Sequence, residues 1–222
     1  MCFSPEVDLI GGAAIAAIGI DTLRHVEHRS ERPLAILPIV FGLHQVTESF
    51  VWWGLDGHVA SNVGDAAAWL YLVVAFGLLP WFVPWTIRRL EPDHRKRAYV
   101  SALVAAGVLV SIYLIIPVIN GPIRVVDGGF YLAYSVSLTF GGAATAIYVA
   151  TTCGPLLISS DRYLVRYGMA NLGAVAVLSI LMVSGVISLW CVWAAITSIA
   201  IAVHLRRTDK HRGRFPLVLR PL

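Results

Sequence analysis

Charge is what this sequence has least of: Asp, Glu, Lys and Arg make up 14% of its 222 residues, against about 25% in an ordinary soluble domain. Hydrophobic residues reach 58%, so 17 basic and 13 acidic side chains, gathered into clusters, are left to coat the surface. No water-soluble fold is covered that thinly. Three cysteines exclude a disulfide scaffold, and the lack of Gly periodicity or long polar tracts excludes collagen and disorder. Residues 1–8 hold no Lys or Arg but do hold Glu6 and Asp8, so no signal peptide is expected and insertion rests on the first apolar segment. There is no Gly-rich nucleotide loop, no Cys-x-x-Cys-His haem attachment and no Ser-centred nucleophile elbow. With a mean hydropathy of +0.75, the solvent for most of the chain is a lipid bilayer.

What is present is a series of uncharged runs long enough to cross about 30 Å of hydrocarbon as helices. Seven are expected, at roughly 7–23, 33–55, 66–87, 98–119, 141–160, 164–186 and 187–205. The first is the shortest, because Asp8 and Asp21 bracket the uncharged stretch Leu9–Ile20. The last two meet at Ser184-Gly185, which breaks what would otherwise be one helix too long for a single crossing. The expected fold is thus an all-α integral membrane protein, a single seven-transmembrane-helix bundle over residues 1–206, followed by a basic cytoplasmic tail at 207–222.

Orientation follows from the basic residues. Those at 24, 29, 32, 88, 89, 95, 96, 97, 162, 166, 206, 207, 210, 212, 214 and 220 fall on one side of a seven-span topology, and Arg124 alone falls on the other. The positive-inside rule then sets the N-terminus outside and the C-terminus in the cytoplasm of a cell (inner) membrane. The tail from Arg206 to Arg214 reads as a topology anchor on anionic lipid, and no nucleic acid partner is expected. Between the fourth and fifth spans, Asp127-Gly128-Gly129 flanked by β-branched and aromatic residues signals a short extracellular hairpin, a lid over the bundle. Trp52, Trp53, Trp69, Tyr71, Phe130, Tyr131 and Tyr134 read as an outer aromatic belt. Gly11-Gly12 and Gly141-Gly142 suit close helix contact.

An ionisable side chain near the bilayer centre costs about 2.5–3.5 kcal/mol on insertion scales, so such residues mark function. In the second span His44, Glu48 and Trp52 recur every four residues and share one helix face, with Gln45 and Ser49 on the adjoining stripe. That face points into the bundle, where His44 and Glu48 can hydrogen-bond each other, act as an acid/base pair, relay protons or ligate a metal. A helix pair supplies two ligands at most, so further ones must come from elsewhere. Depth places Ser4 and Cys2 above the outer leaflet, Tyr113 in the outer third of span four, and Cys191 at the outer start of span seven. Cys2 and Cys191 either join His44 and Glu48 around a divalent metal or form a disulfide with each other. Gln45, Trp52, Tyr113 and Ser4 are the expected ligand contacts. The competing reading is a buried His-Glu-Gln network that only fixes helix packing.

Met1-Cys2-Phe3-Ser4, Gln45-x-x-Glu48 with Trp52, Ser159-Ser160 after Pro155-Leu-Leu, and Trp190-Cys191 together resemble a family of uncharacterised bacterial multi-pass membrane proteins that open with Met-Cys-Phe-Ser. The resemblance covers nearly the whole chain and implies a seven-helix membrane protein with no established activity. Seven-helix membrane hydrolases that include alkaline ceramidases are a second comparison, but their zinc site needs three His and this chain has one deep in a span. Three functions follow: an outward-facing polar pocket that binds a metal or small ligand and is hydrolytic in one version; an accessory or assembly subunit of a membrane complex, or a homo-oligomer; and a proton-linked transporter or sensor.

Overall fold

The computed structural model of the chain describes residues 4–181 and 185–214. In chain order these form α1 (Pro5–His25), α2 (Arg32–Leu55), α3 (Ser61–Leu90), α4 (His94–Asn120), β1 (Arg124–Asp127), β2 (Leu132–Ser135), α5 (Gly141–Ile158), α6 (Arg162–Leu181) and α7 (Val186–Arg214). The fold is helical throughout apart from one hairpin, and the elements follow the expected runs closely. Among the described residues six helices, α2 to α7, are long and apolar enough to cross a membrane. They make this a multi-pass membrane protein in a lipid environment. α1 is not one of the six, because Glu6, Asp8, Asp21 and Arg24 all fall within its 21 residues.

Local chemistry sets the helix ends. Ser4 caps α1 by accepting from the Val7 N–H, with Pro5 in the first turn where its missing donor costs nothing. Asp93 caps α4 by accepting from the N–H groups of Arg95 and Lys96 at 2.8 and 3.1 Å. Within the helices Thr22, Thr47, Thr86 and Thr145 return their hydroxyls to the carbonyl one turn back, so none is left bare in hydrocarbon. Prolines 38, 84, 117 and 155 lie inside helices. α3 also carries a π-helical stretch, Val73–Leu78, just before Pro80. The π stretch offers its Ala75 carbonyl to the Tyr148 hydroxyl at 2.9 Å and its Gly77 carbonyl to the Trp81 indole at 2.9 Å.

α1 folds back antiparallel along α2 with almost no side chain between the two backbones. A Cβ on Gly42 would lie 2.5 Å from the Ala16 nitrogen and 2.6 Å from the Gly12 carbonyl oxygen. In lipid there is little hydrophobic drive between helices, so close backbone approach of small residues is what holds such a pair. Of the glycine pairs read as contact points, Gly12 serves as expected, whereas Gly11 and Gly142 have nothing within 4 Å.

The hairpin forms where the Asp-Gly-Gly turn predicts it. Arg124 pairs with Ser135 and Asp127 with Leu132, and Gly129 turns the chain at φ +91°. It is more deeply seated than a lid. Leu132 and Tyr134, on one face of β2, are buried in the bundle, and the Leu132 N–H donates to Ser188 of α7. This corrects the aromatic belt. Trp69 and Phe130 are exposed, but Trp52, Tyr71 and Tyr134 are buried at 4%, 0% and 7% exposure. Helical and strand phase decides this: Tyr71 shares the inward face of Ala67, Ala68 and Leu72, and Tyr134 lies two residues from Leu132.

The opposite end is tied by polar contacts between helix ends and the loop after α5. Asp21 of α1 pairs with Arg206 of α7, Lys96 of α4 donates to the Ser159 carbonyl, and Asp161 meets His204 at 3.0 Å. The His204 ring also stacks on Tyr163 with centroids 4.2 Å apart. The Ser184 half of the break between the last two helices lies outside the described residues, while Gly185 packs against the Tyr131 ring.

The α1–α2 contact yields a paired prediction. Gly42→Ala must push the backbones apart and should destabilise the protein by about 1–3 kcal/mol, read as a lower thermal midpoint in detergent. Gly11→Ala, with open space around it, should leave that midpoint unchanged.

Candidate functional site

The α1–α2 register carries Asp8 to the face of α2 that bears Trp52, Glu48, Gln45 and His44. The Trp52 indole N–H donates to Asp8 Oδ2 at 3.2 Å, across 44 residues of sequence. On the other side of Glu48, the Tyr134 hydroxyl donates to Glu48 Oε1 at 3.4 Å. Asp8 and Glu48 lie within electrostatic range of each other, and Asp8, His44, Gln45 and Glu48 are all at most 3% exposed. An aromatic column closes the site. His44 stacks on Tyr71 with centroids 3.8 Å apart and planes at 15°, and Tyr71 stacks on Tyr134 at 4.6 Å and 8°. Tyr71 and Cys191 of α7 belong to the same buried core cluster. Five elements therefore meet here: α1, α2, α3, β2 and α7.

Several expectations are met and others corrected. His44, Gln45, Glu48 and Trp52 do face inward together. His44 and Glu48, however, do not hydrogen-bond each other: both His44 ring nitrogens are buried without a partner among the described residues, because the imidazole lies flat on Tyr71 and Glu48 takes Tyr134 instead. Ser4 caps α1, and the Tyr113 hydroxyl accepts from the Phe140 N–H at 3.1 Å. Cys191 is a buried free thiol, and Cys2 lies outside the described residues. Among the described residues no three of His, Cys, Asp and Glu gather as a metal would need.

Asp8, Tyr71 and Tyr134 are the members that sequence reasoning missed. A signal for Asp8 was present, since Asp8, Gly12 and Ala16 are spaced four apart and put an acid on the same face as two small contact residues. Asp8 and Gln45 also line a cavity of about 60 Å³ with Val7, Gly12, Ile15 and Val192. Asp8 Oδ1, an acceptor, and Gln45 Nε2, a donor, have no partner among the described residues. Most buried polar atoms in proteins are satisfied, so a cluster of such atoms calls for an explanation.

A second polar network sits at the opposite end, on the Ser159-Ser160 pair. Glu91, 2% exposed, accepts from the Ser160 N–H at 2.8 Å, the Ser160 hydroxyl at 2.6 Å and the Asp93 N–H at 3.1 Å. Its backbone carbonyl accepts two bonds from the Arg97 guanidinium at 2.9 and 2.6 Å. Burial pushes the Glu91 carboxyl up, but these hydrogen bonds and the nearby Lys96 charge outweigh it and hold the group below its ordinary value of 4.5. Every acceptor of Glu91 is engaged by the loops it joins, which makes this a clamp between α3, α4 and α6.

Against known proteins, one family model matches residues 1–214, described as a family of unknown function (DUF6629). This agrees with the resemblance to an uncharacterised family drawn from the opening Met-Cys-Phe-Ser and the later motifs. No curated protein and no solved structure matches the chain.

The Glu91 clamp predicts a pH signature. A carboxylate held below its ordinary value stabilises the fold above that value and loses its contribution as pH falls through the folded one. Glu91→Gln should therefore cost about 1–3 kcal/mol at neutral pH. In detergent melts from pH 7 downward, the gap between wild type and variant should close below pH 4.5; a gap constant with pH would contradict the clamp.

Proposed function

We propose that the chain, which belongs to the DUF6629 family of unknown function, holds a small cation or amine-type ligand in a pocket lined by Asp8 and Gln45, with the buried Glu48 carboxyl behind it. The observation that carries this reading is the pair of buried polar atoms, Asp8 Oδ1 and Gln45 Nε2, that have no partner among the described residues and belong to residues lining one cavity. Two carboxyl groups within reach of each other in a low-dielectric site repel when both are charged, and a cation or proton between them relieves that repulsion. The cavity, about 60 Å³, admits an ion or a molecule of a few heavy atoms, since one water needs roughly 10–15 Å³ by the same kind of measure. Trp52 and Tyr134 would hold the two carboxylates in place from outside, as donors that leave the inward oxygen of Asp8 free for the ligand.

The wider topology is part of the same proposal. α1 is a seventh span, with the N-terminus outside and the C-terminus in the cytoplasm of a bacterial inner membrane. Support comes from its length, 21 residues or about 32 Å, from its antiparallel course along α2, and from its charges. Asp8 is buried against Trp52 and Asp21 pairs with Arg206, so neither faces hydrocarbon. The contacts of Lys96 with Ser159 and of Asp161 with His204 gather the basic loops at one end, as the positive-inside rule requires. The pocket then opens to the outer half of the membrane.

A divalent metal is the second reading, favoured by the two unpartnered nitrogens of His44. It needs Cys2, which lies outside the described residues, as a third ligand beside His44, Glu48 or Cys191.

Thermal melts of the purified protein in nanodiscs, with ammonium, methylammonium, sodium, potassium or zinc added, test both readings. A bound cation at a hundred times its dissociation constant adds about 2.7 kcal/mol, and the rise in midpoint should vanish in Asp8→Asn and Glu48→Gln. His44→Phe should abolish a zinc response while sparing the others. No cation response in the wild type, or one untouched by Asp8→Asn, would overturn the proposal.

A further inference from the structure

A groove of about 840 Å³ lies at the hairpin end of the bundle, away from the Asp8 pocket, between α2, the start of α3, the end of α4 and β1. Two opposite charges line it, Asp65 of α3 and Arg124 of β1. Both side chains are exposed, and among the described residues neither forms a hydrogen bond or ion pair, with the other or with anything else. The rest of the wall is apolar and open, including Leu55, Trp69, Ile119 and Val126 at 46%, 43%, 61% and 62% exposure. From Ile119 an apolar stripe continues down α4 through Ile116, Ile112 and Leu109, at helical spacing and 52–69% exposed. A groove with one cationic and one anionic wall, leading into a hydrocarbon-facing track, has the layout of an amphiphile with a zwitterionic head.

We infer that this groove binds a zwitterionic phospholipid, its phosphate on Arg124, its ammonium on Asp65 and an acyl chain along the Leu109, Ile112, Ile116 and Ile119 stripe of α4. Arg suits the phosphate because its guanidinium donates in a planar fork. Trp69, on the groove wall, suits the bridge between head group and chain that interfacial indoles make. A soluble anion would engage Arg124 but would leave both Asp65 and the α4 stripe unexplained. The inference rests on the multi-pass membrane assignment and not on the Asp8 pocket.

Native mass spectrometry of the full chain released from nanodiscs of mixed phosphatidylethanolamine and phosphatidylglycerol tests it. Wild type should retain the zwitterionic lipid in preference to the anionic one. Arg124→Gln should lower retention of both about two- to fivefold, the range of a single exposed charge contact. Asp65→Asn should remove the preference while keeping total retention, and Ile116→Asn should lower retention of both lipids. Since neither charged side chain has a partner among the described residues, unchanged circular dichroism checks that these two variants are folded. Equal retention of both lipids by the wild type, retention unaffected by Arg124→Gln, or equal binding of chain-free glycerophosphoethanolamine would overturn the inference.

Discussion

The packing of α1 against α2 through Gly12, Ala16 and Gly42 is the constraint on which the rest depends. Because a Cβ at Gly42 would come within 2.6 Å of the facing backbone, the two helices have one register in which they fit. That register carries Asp8 to Trp52, and Asp8 is the acid that turns a lone buried Glu48 into a pair. In water an apolar helix face would supply its own drive to dock, at about 25 cal/mol per Å² buried. Between lipid-soluble helices that drive is nearly absent, and small-residue packing and polar contacts take its place. The seam therefore both holds α1 on the bundle and sets the geometry of the site.

The site itself is assembled from elements that contribute one group each. α2 alone supplies a face of four polar or indole residues, but Glu48 and His44 on that face reach different partners: Glu48 takes the Tyr134 hydroxyl from the hairpin, and His44 takes the Tyr71 ring from α3. The hairpin thus backs the polar face of α2, with Leu132 anchored on Ser188 and Tyr134 pressed on Tyr71. At the far end Glu91 clamps the loop to Ser160 with every oxygen engaged. The contrast between the two ends is informative. One polar cluster is saturated by the chain's own donors, which suits a structural tie, and the other has atoms without a partner among the described residues, on side chains that line a cavity, which suits a ligand.

Much of the architecture is legible in the sequence because lipid imposes a simple rule. Uncharged runs of span length mark α2 to α7, the Asp-Gly-Gly turn marks the hairpin, and the four-residue spacing of His44, Glu48 and Trp52 marks an inward face. Periodicity shows which residues share a face of one helix, but not what another element brings to it. For that reason Asp8 read as the edge of the shortest span, Tyr71 and Tyr134 read as interfacial aromatics, and a bond between His44 and Glu48, one of several options open to that face, is not made. Each of these turns on a contact between distant segments: 44 residues separate Asp8 from Trp52, and 86 separate Glu48 from Tyr134.

A double-mutant cycle on Asp8→Asn and Glu48→Gln, read as unfolding free energy in detergent, tests most directly whether α1 delivers its acid to the second acid on α2. Residues that share one site couple by about 0.5–3 kcal/mol, whereas independent sites add within about 0.3–0.5 kcal/mol. Coupling above 0.5 kcal/mol on that scale is the predicted result. Simple additivity would mean that the two carboxyl groups do not form one site.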